Sequence, residues 1–122
     1  MQQNGSYDTD PSRFDYDELF ERVDGDEELI REVLAIFLED APRLLGEIKT
    51  GLEKASPEIV ANTAHTLKGA AANIAAHRLR DQAYQIELTA KSEEMAGALN
   101  IYADLEAEFI ALKHYLSPYL GQ

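Results

Sequence analysis

The chain has no cysteine. Disulfide frameworks and thiolate chemistry are thereby excluded, and the composition fits a reducing compartment. Positive charge is scarce as well: 11 Lys and Arg stand against 23 Asp and Glu, a formal net charge of −12. Phosphate backbones are bound by clustered cations, so a nucleic-acid partner is not expected. No run of about 18 apolar residues is present to span a membrane, and the opening stretch MQQNGSYDTDPSRFD lacks the basic and apolar regions of a signal peptide. The expected location is the cytoplasm. A glycine-rich nucleotide loop is missing too, which argues against ATP binding. Internal repeats and low-complexity tracts are absent.

What remains is enough for one domain. A chain of 122 residues with 45% hydrophobic content fills a single core and is too short for two. Residues 1–13 are polar, with Gly5 and Pro11 among several Asp, Ser and Asn, and read as a loose tail ahead of a domain over 14–120. From Phe14 onward apolar residues recur at three- and four-residue steps and nowhere alternate as in a half-buried strand, so the class is all-α. A short helix over 14–23 ends at Asp24 and Gly25, and Asp26 caps a second, with Glu27 and Glu28 complementing its dipole.

In that second helix Ile30, Leu34, Phe37, Ala41, Leu44, Ile48, Leu52 and Ala55 hold one phase across Pro42. The unbroken phase favours one long helix kinked at the proline over two separate ones. Ser56 with Pro57 is a strong start for a third helix over 57–75, with Val60, Ala64, Leu67, Ala71 and Ile74 as its buried stripe. A fourth over 76–94 buries Leu79, Ala83, Ile86 and Ala90. A fifth over 97–116 buries Ile101, Leu105, Phe109, Leu112 and Leu116, ahead of Pro118. Connections this short predict an up-down antiparallel four-helix bundle, with the short first helix as a lid at one end.

With Ala64 and Leu67 in the core, the helical turn of about 100° per residue gathers Ala61, His65, Lys68, Gly69 and Ala72 on an outward face. Apart from Lys68, the neighbours of His65 there carry no side chain larger than a methyl, which leaves the imidazole reachable. Gly69 costs the helix roughly 1 kcal/mol relative to alanine, and close approach by another molecule's backbone is a reason for it. Residues 59–80 contain no Asp or Glu but do contain Lys68, Arg78 and Arg80. An anion is tolerated on such a segment. Imidazole, with an ordinary pKa of about 6.5, is a competent nucleophile at neutral pH, and a nearby lysine stabilises a transferring phosphoryl group.

The stretch AHTLKGAAANIAAHRL resembles the signature of histidine-containing phosphotransfer (HPt) domains. Upstream, DGDEELIREVLAIFLEDAPRLLGEIKTGLEKAS is similar to the family's preceding helix. Downstream, LRDQAYQIE is similar to the helix that packs beside the histidine. The likeness spans about residues 14–116. It implies His65 as phosphoacceptor, Lys68 as the cation steadying the phosphoryl group, and Gly69 as the gap for an approaching receiver domain. Docking would extend over Ala61, Ala72, Ala76, Arg78 and Gln82. Glu87 stands where some members have a glutamine that orients the imidazole, with Gln82 or Gln85 as alternatives. Ala75 stands where many have glycine.

The resemblance implies a covalent relay. His65 takes a phosphoryl group from a receiver aspartyl phosphate, on a response regulator or a hybrid sensor histidine kinase, and a second receiver aspartate removes it. No cofactor or metal is expected on this domain, because magnesium-binding acids are absent near His65 in sequence; Mg2+ comes with the receiver. Autonomous kinase activity is not expected, and a monomer is. Three other readings stay open: an HPt-like bundle that only binds proteins, a domain phosphorylated directly from a kinase's ATP site, and a metal enzyme. The metal reading is disfavoured because His65, His77 and His114 are not spaced as ligands and no Glu-x-x-His pair occurs. His77 and His114 read as structural or surface residues, and Tyr102, Tyr115 and Tyr119 as packing residues.

Overall fold

The computed structural model describes residues 10–120, and among them are five α-helices and no strand. α1 is Tyr16–Arg22, α2 Glu27–Glu53, α3 Pro57–Asn73, α4 His77–Lys91 and α5 Met95–Leu116, with a 3-10 turn at Ser117–Leu120. Three starts are written in side chains. Asp15, Asp26 and Ser56 accept hydrogen bonds from the backbone N–H groups of Glu18, Leu29 and Ile59, each satisfying a donor the helix cannot, worth about 1 kcal/mol apiece. α4 and α5 follow Ala76 and Glu94 with no side-chain cap. Their sequence boundaries are blurred for that reason.

α2 passes unbroken through Pro42. Proline leaves the Leu38 carbonyl without its helical donor, a loss of about 3 kcal/mol. Yet Ile30, Leu34, Phe37, Ala41, Leu44 and Ile48 are all buried on one stripe spanning the proline, and each large side chain contributes about 1.5–3 kcal/mol. Burial wins, and one helix results. The stripe stops earlier than its phase suggests: Leu52 is half-buried, and Ala55 is exposed in the turn at φ +51°. In α5, Ile101 is half-buried and Tyr102 takes the inner position, its hydroxyl donating to the Leu45 carbonyl at 3.2 Å.

α3 lies against α2 and α4, and α5 against α4 and α2. The α3–α4 pair is the most intimate. Ala61, Ala64, Ala71, Ala76 and Ala83, on these helices and the turn between them, are buried, and side chains this small let backbones come close. Ala75, in the connecting turn, is buried with φ +62°. The left-handed conformation costs an alanine about 1–2 kcal/mol, while burying its methyl returns about 0.8 kcal/mol, so alanine in place of glycine costs little.

Residues 1–9 of the expected loose tail lie outside the described residues. The described part, 10–13, is not loose. Asp10 N–H donates to the Tyr115 hydroxyl at 2.7 Å, Arg78 donates to Asp10 Oδ2 at 2.6 Å, and Arg13 pairs with buried Glu108 at 2.9 Å. Ion pairs hold a segment whose composition offers few apolar contacts. Phe14 then packs edge-on to Tyr115 and Tyr119, ring centroids 6.3 and 5.3 Å apart. α1 is tied to the α3–α4 turn: Asp15 N–H donates to the Ala75 carbonyl at 3.0 Å, and Arg22 to the Ala72 and Asn73 carbonyls at 2.9 Å each. Among the described residues no helix is long and apolar enough to cross a membrane.

Gly51, buried where α2 meets the start of α3, offers a test of this packing. A Cβ added there would lie 2.9 Å from both Ile59 Cγ2 and Val60 Cγ2. Overpacking of about 1–3 kcal/mol outweighs the roughly 1 kcal/mol of helix propensity gained. Gly51→Ala is expected to lower the denaturant midpoint at unchanged m-value.

Candidate functional site

His65 projects from the outer side of α3 with its side chain 65% exposed. α4 runs back alongside after a three-residue turn, so a side chain about as far beyond the turn as His65 is before it comes to lie opposite. That side chain is Glu87. Its Oε2 lies 3.0 Å from His65 Nδ1, its Oε1 accepts from Lys68 Nζ at 2.8 Å, and Oε2 also accepts from Lys91 Nζ at 3.1 Å. Lys68 in turn rests over the Tyr84 ring, 4.7 Å from its centroid.

Glu87 is almost wholly buried. Burial is the largest influence on its carboxyl and by itself would raise the pKa. Hydrogen bonds from Lys68, Lys91 and His65, with the Lys68 charge, outweigh it and hold the pKa at about 2. Glu87 is therefore an anion, able only to accept, and the proton it receives from the ring must sit on Nδ1. In the neutral imidazole this assigns the lone pair to Nε2, the far nitrogen of an exposed ring. Two ammonium groups against one carboxylate leave the pocket net positive, ready for an anion.

The structure brings His65, Lys68 and Glu87 together and leaves Gly69 open, with nothing within 4 Å of a Cβ built there. Several expected docking residues are placed otherwise. Ala61 and Ala76 are buried and Ala72 is half-buried, so none of the three presents an open face. Those alanines serve helix approach rather than an open platform. Arg78 turns away to Asp10 and Ser12 and lies 3.6 Å from Glu108. Gln82 is half-buried and Gln85 exposed, and neither hydrogen-bonds His65; Glu87 does. Tyr84 and Lys91 are the residues that the sequence reading missed. They stand three before and four after Glu87, the helical spacing that would have flagged them once Glu87 was set against His65.

His65, Gly69 and Asn73 follow one another at four-residue steps, and Asn73 borders an apolar groove of about 440 Å³ between α1, α2 and α3. Val23, Val33, Ile36, Phe37 and Ala70 line it, and Ile36 is 59% exposed. Elsewhere, Asp15, Glu18 and His77 offer ligand atoms within 4.8 Å of one another. Their bonds are internal: His77 Nε2 meets Glu18 Oε1 at 2.8 Å, Arg80 donates to His77 Nδ1 at 2.8 Å, and Asp15 caps α1. His77 thus joins α4 to α1, and His114 is exposed.

The depressed pKa of Glu87 has a sign that can be measured. Its stabilising effect is complete above the ordinary value of 4.5 and is lost as pH falls toward about 2. Asp10, lowered to about 2 chiefly by the Ser12 hydrogen bond, acts in the same direction. Denaturant unfolding of Glu87→Gln is expected to vary less with pH across that window than the parent, the difference isolating Glu87 from Asp10.

Comparison with known proteins bears on the fold and the family. No curated protein matches the chain. Among solved structures, a rice protein described as a histidine-containing phosphotransfer protein superposes with a TM-score of 0.77 at 24% identity, over 89% of this chain and 81% of that one. At that identity the likeness is one of fold. The family model described as the Hpt domain matches residues 32–115, most of the chain and all of α3 and α4. The chain belongs to the Hpt domain family.

Proposed function

We propose that this protein is a histidine phosphotransfer intermediate of a two-component phosphorelay, with His65 as phosphoacceptor. The observation that carries the reading is an exposed imidazole whose Nδ1 is held by an ionised, buried Glu87. The Nε2 lone pair attacks phosphorus of a receiver's aspartyl phosphate. The N–P bond forms as the bond from phosphorus to the aspartate oxygen breaks, and the aspartate leaves as a carboxylate. Nδ1 keeps its proton, so the phosphorylated ring is a cation facing the Glu87 anion. In the return step a carboxylate oxygen of another receiver attacks phosphorus, the N–P bond breaks, and neutral His65 is restored.

Lys68 neutralises charge on the phosphoryl oxygens, and the receiver brings Mg2+. On this reading α2 to α5 form an up-down antiparallel four-helix bundle with α1 as its lid, working as a cytoplasmic monomer. The receiver sits across Gly69 and extends onto the apolar groove. Continuity of His65, Gly69 and Asn73 with that groove supports this placement, as does the exposure of Ile36.

Incubation with a phosphorylated receiver and Mg2+ is expected to give an acid-labile, base-stable label on the parent and none on His65→Gln; equal labelling of the variant would overturn the assignment. Gly69→Ala separates docking from folding. It is expected to raise stability by about 1 kcal/mol through helix propensity while slowing transfer. Ile36→Glu, at an exposed position, is expected to leave stability within about 0.5 kcal/mol and slow transfer by about tenfold if the groove is used.

A further inference from the structure

Glu87 is one carboxylate served by two ammonium groups. Lys68 takes Oε1 at 2.8 Å, while Lys91 takes Oε2 at 3.1 Å beside His65 Nδ1 at 3.0 Å. A neutral glutamine holding the imidazole would require no counter-charge. Here a charge stands in that position with its side chain 4% exposed, and a buried carboxylate stripped of its cations is strongly destabilising. In the resting protein Lys68 is committed to this carboxylate. The phosphotransfer reading makes a second demand on it, because a phosphoryl group on Nε2 carries close to two negative charges.

Lys68 leaves Glu87 at low cost only if another cation stays. Lys91 is placed for that: it stands one helical turn beyond Glu87 on α4, and its side chain is 61% exposed. It shares Oε2 with Nδ1, the ring edge remote from Nε2, whereas Lys68 holds the other oxygen. Geometry therefore frees Lys68 and retains Lys91.

Resting on the phosphotransfer reading, we infer that Lys91 is a positioning residue: it keeps Glu87 ionised and seated against Nδ1 while Lys68 moves from Glu87 Oε1 to the phosphoryl oxygens on Nε2. The charges balance under this exchange. The cationic ring, Lys68 and Lys91 match the Glu87 anion and a doubly charged phosphoryl group, and the cluster becomes neutral. Without Lys91 the phosphorylated state carries an unmatched negative charge beside a buried carboxylate.

The test compares transfer rates from a phosphorylated receiver to the parent, Lys91→Met, Lys91→Arg, Glu87→Gln and the Lys91→Met/Glu87→Gln pair. Lys91→Met is expected to slow transfer by about tenfold, Lys91→Arg to restore it, and Lys91→Met to change the rate less than about twofold once Glu87 is glutamine. Independently of transfer, Lys91→Met should move the acid loss of stability to higher pH, because Glu87 is then less strongly held as an anion. A parent rate in Lys91→Met overturns the inference. So does an equal loss in the Glu87→Gln background, which would place Lys91 against the receiver instead; an unmoved acid limb decides the same way if Glu87→Gln does not fold. A parent that takes no label, or a His65→Gln variant that does, sinks the phosphotransfer reading itself and is distinguishable from all of these.

Discussion

A carboxylate buried between two helices is the constraint on which the site depends. Glu87 sits between α3 and α4, the two helices in most extensive contact, and it has to be satisfied from both sides: Lys68 and His65 reach it from α3, Lys91 from its own helix. Those bonds fix the register of the two helices as much as they prepare the ring. Burial makes each bond strong and makes each loss expensive. Fold and chemistry therefore share one set of contacts, and a change in the α3–α4 packing is felt at the imidazole as a change in tautomer and orientation.

The alanines are the other half of that arrangement. Close approach needs small side chains, and Ala61, Ala64, Ala71, Ala76 and Ala83, on α3, α4 and the turn between them, are buried. Gly69 differs from them although it belongs to the same run of small residues. It faces open space, with no packing partner for a Cβ, so helix packing does not explain it. Of the small residues around His65, this is the one whose cost to the helix has no internal compensation.

Much of this was legible in the chain. Helical period marked every long helix, and the Asp26 and Ser56–Pro57 starts were readable because a cap is a local bond between neighbours. Leu34, Leu67, Ile86 and Leu105 were recognisable as core for the same reason. What escaped was non-local. Ala61 looked like a surface because a helical wheel shows a face but not what covers it, and Ala76 was added to that surface only as an extension of it. The segment around His65 is free of acid and its carboxylate comes from another helix, 22 residues on, so the resemblance pointed to Glu87 while its pairing with Lys68 and Lys91 went unread. Asp10 to Arg13 looked loose because their partners, Arg78, Glu108 and Tyr115, are far along the chain.

The contacts of Phe14 with Tyr115 and Tyr119 join the two ends of the described chain. Neither end can fray alone: opening the last turn of α5 exposes Phe14 and releases Asp10 from the Tyr115 hydroxyl, and detaching residues 10–14 uncovers the same rings. Residues 10–14 and 115–119 thus make a single unit of local unfolding, sharing one protection against hydrogen exchange despite their separation of some hundred residues. Arg22 and Asp15 pass that protection on to the α3–α4 turn. The hairpin that carries the histidine is clamped at its closed end by a latch made of the two ends of the described residues.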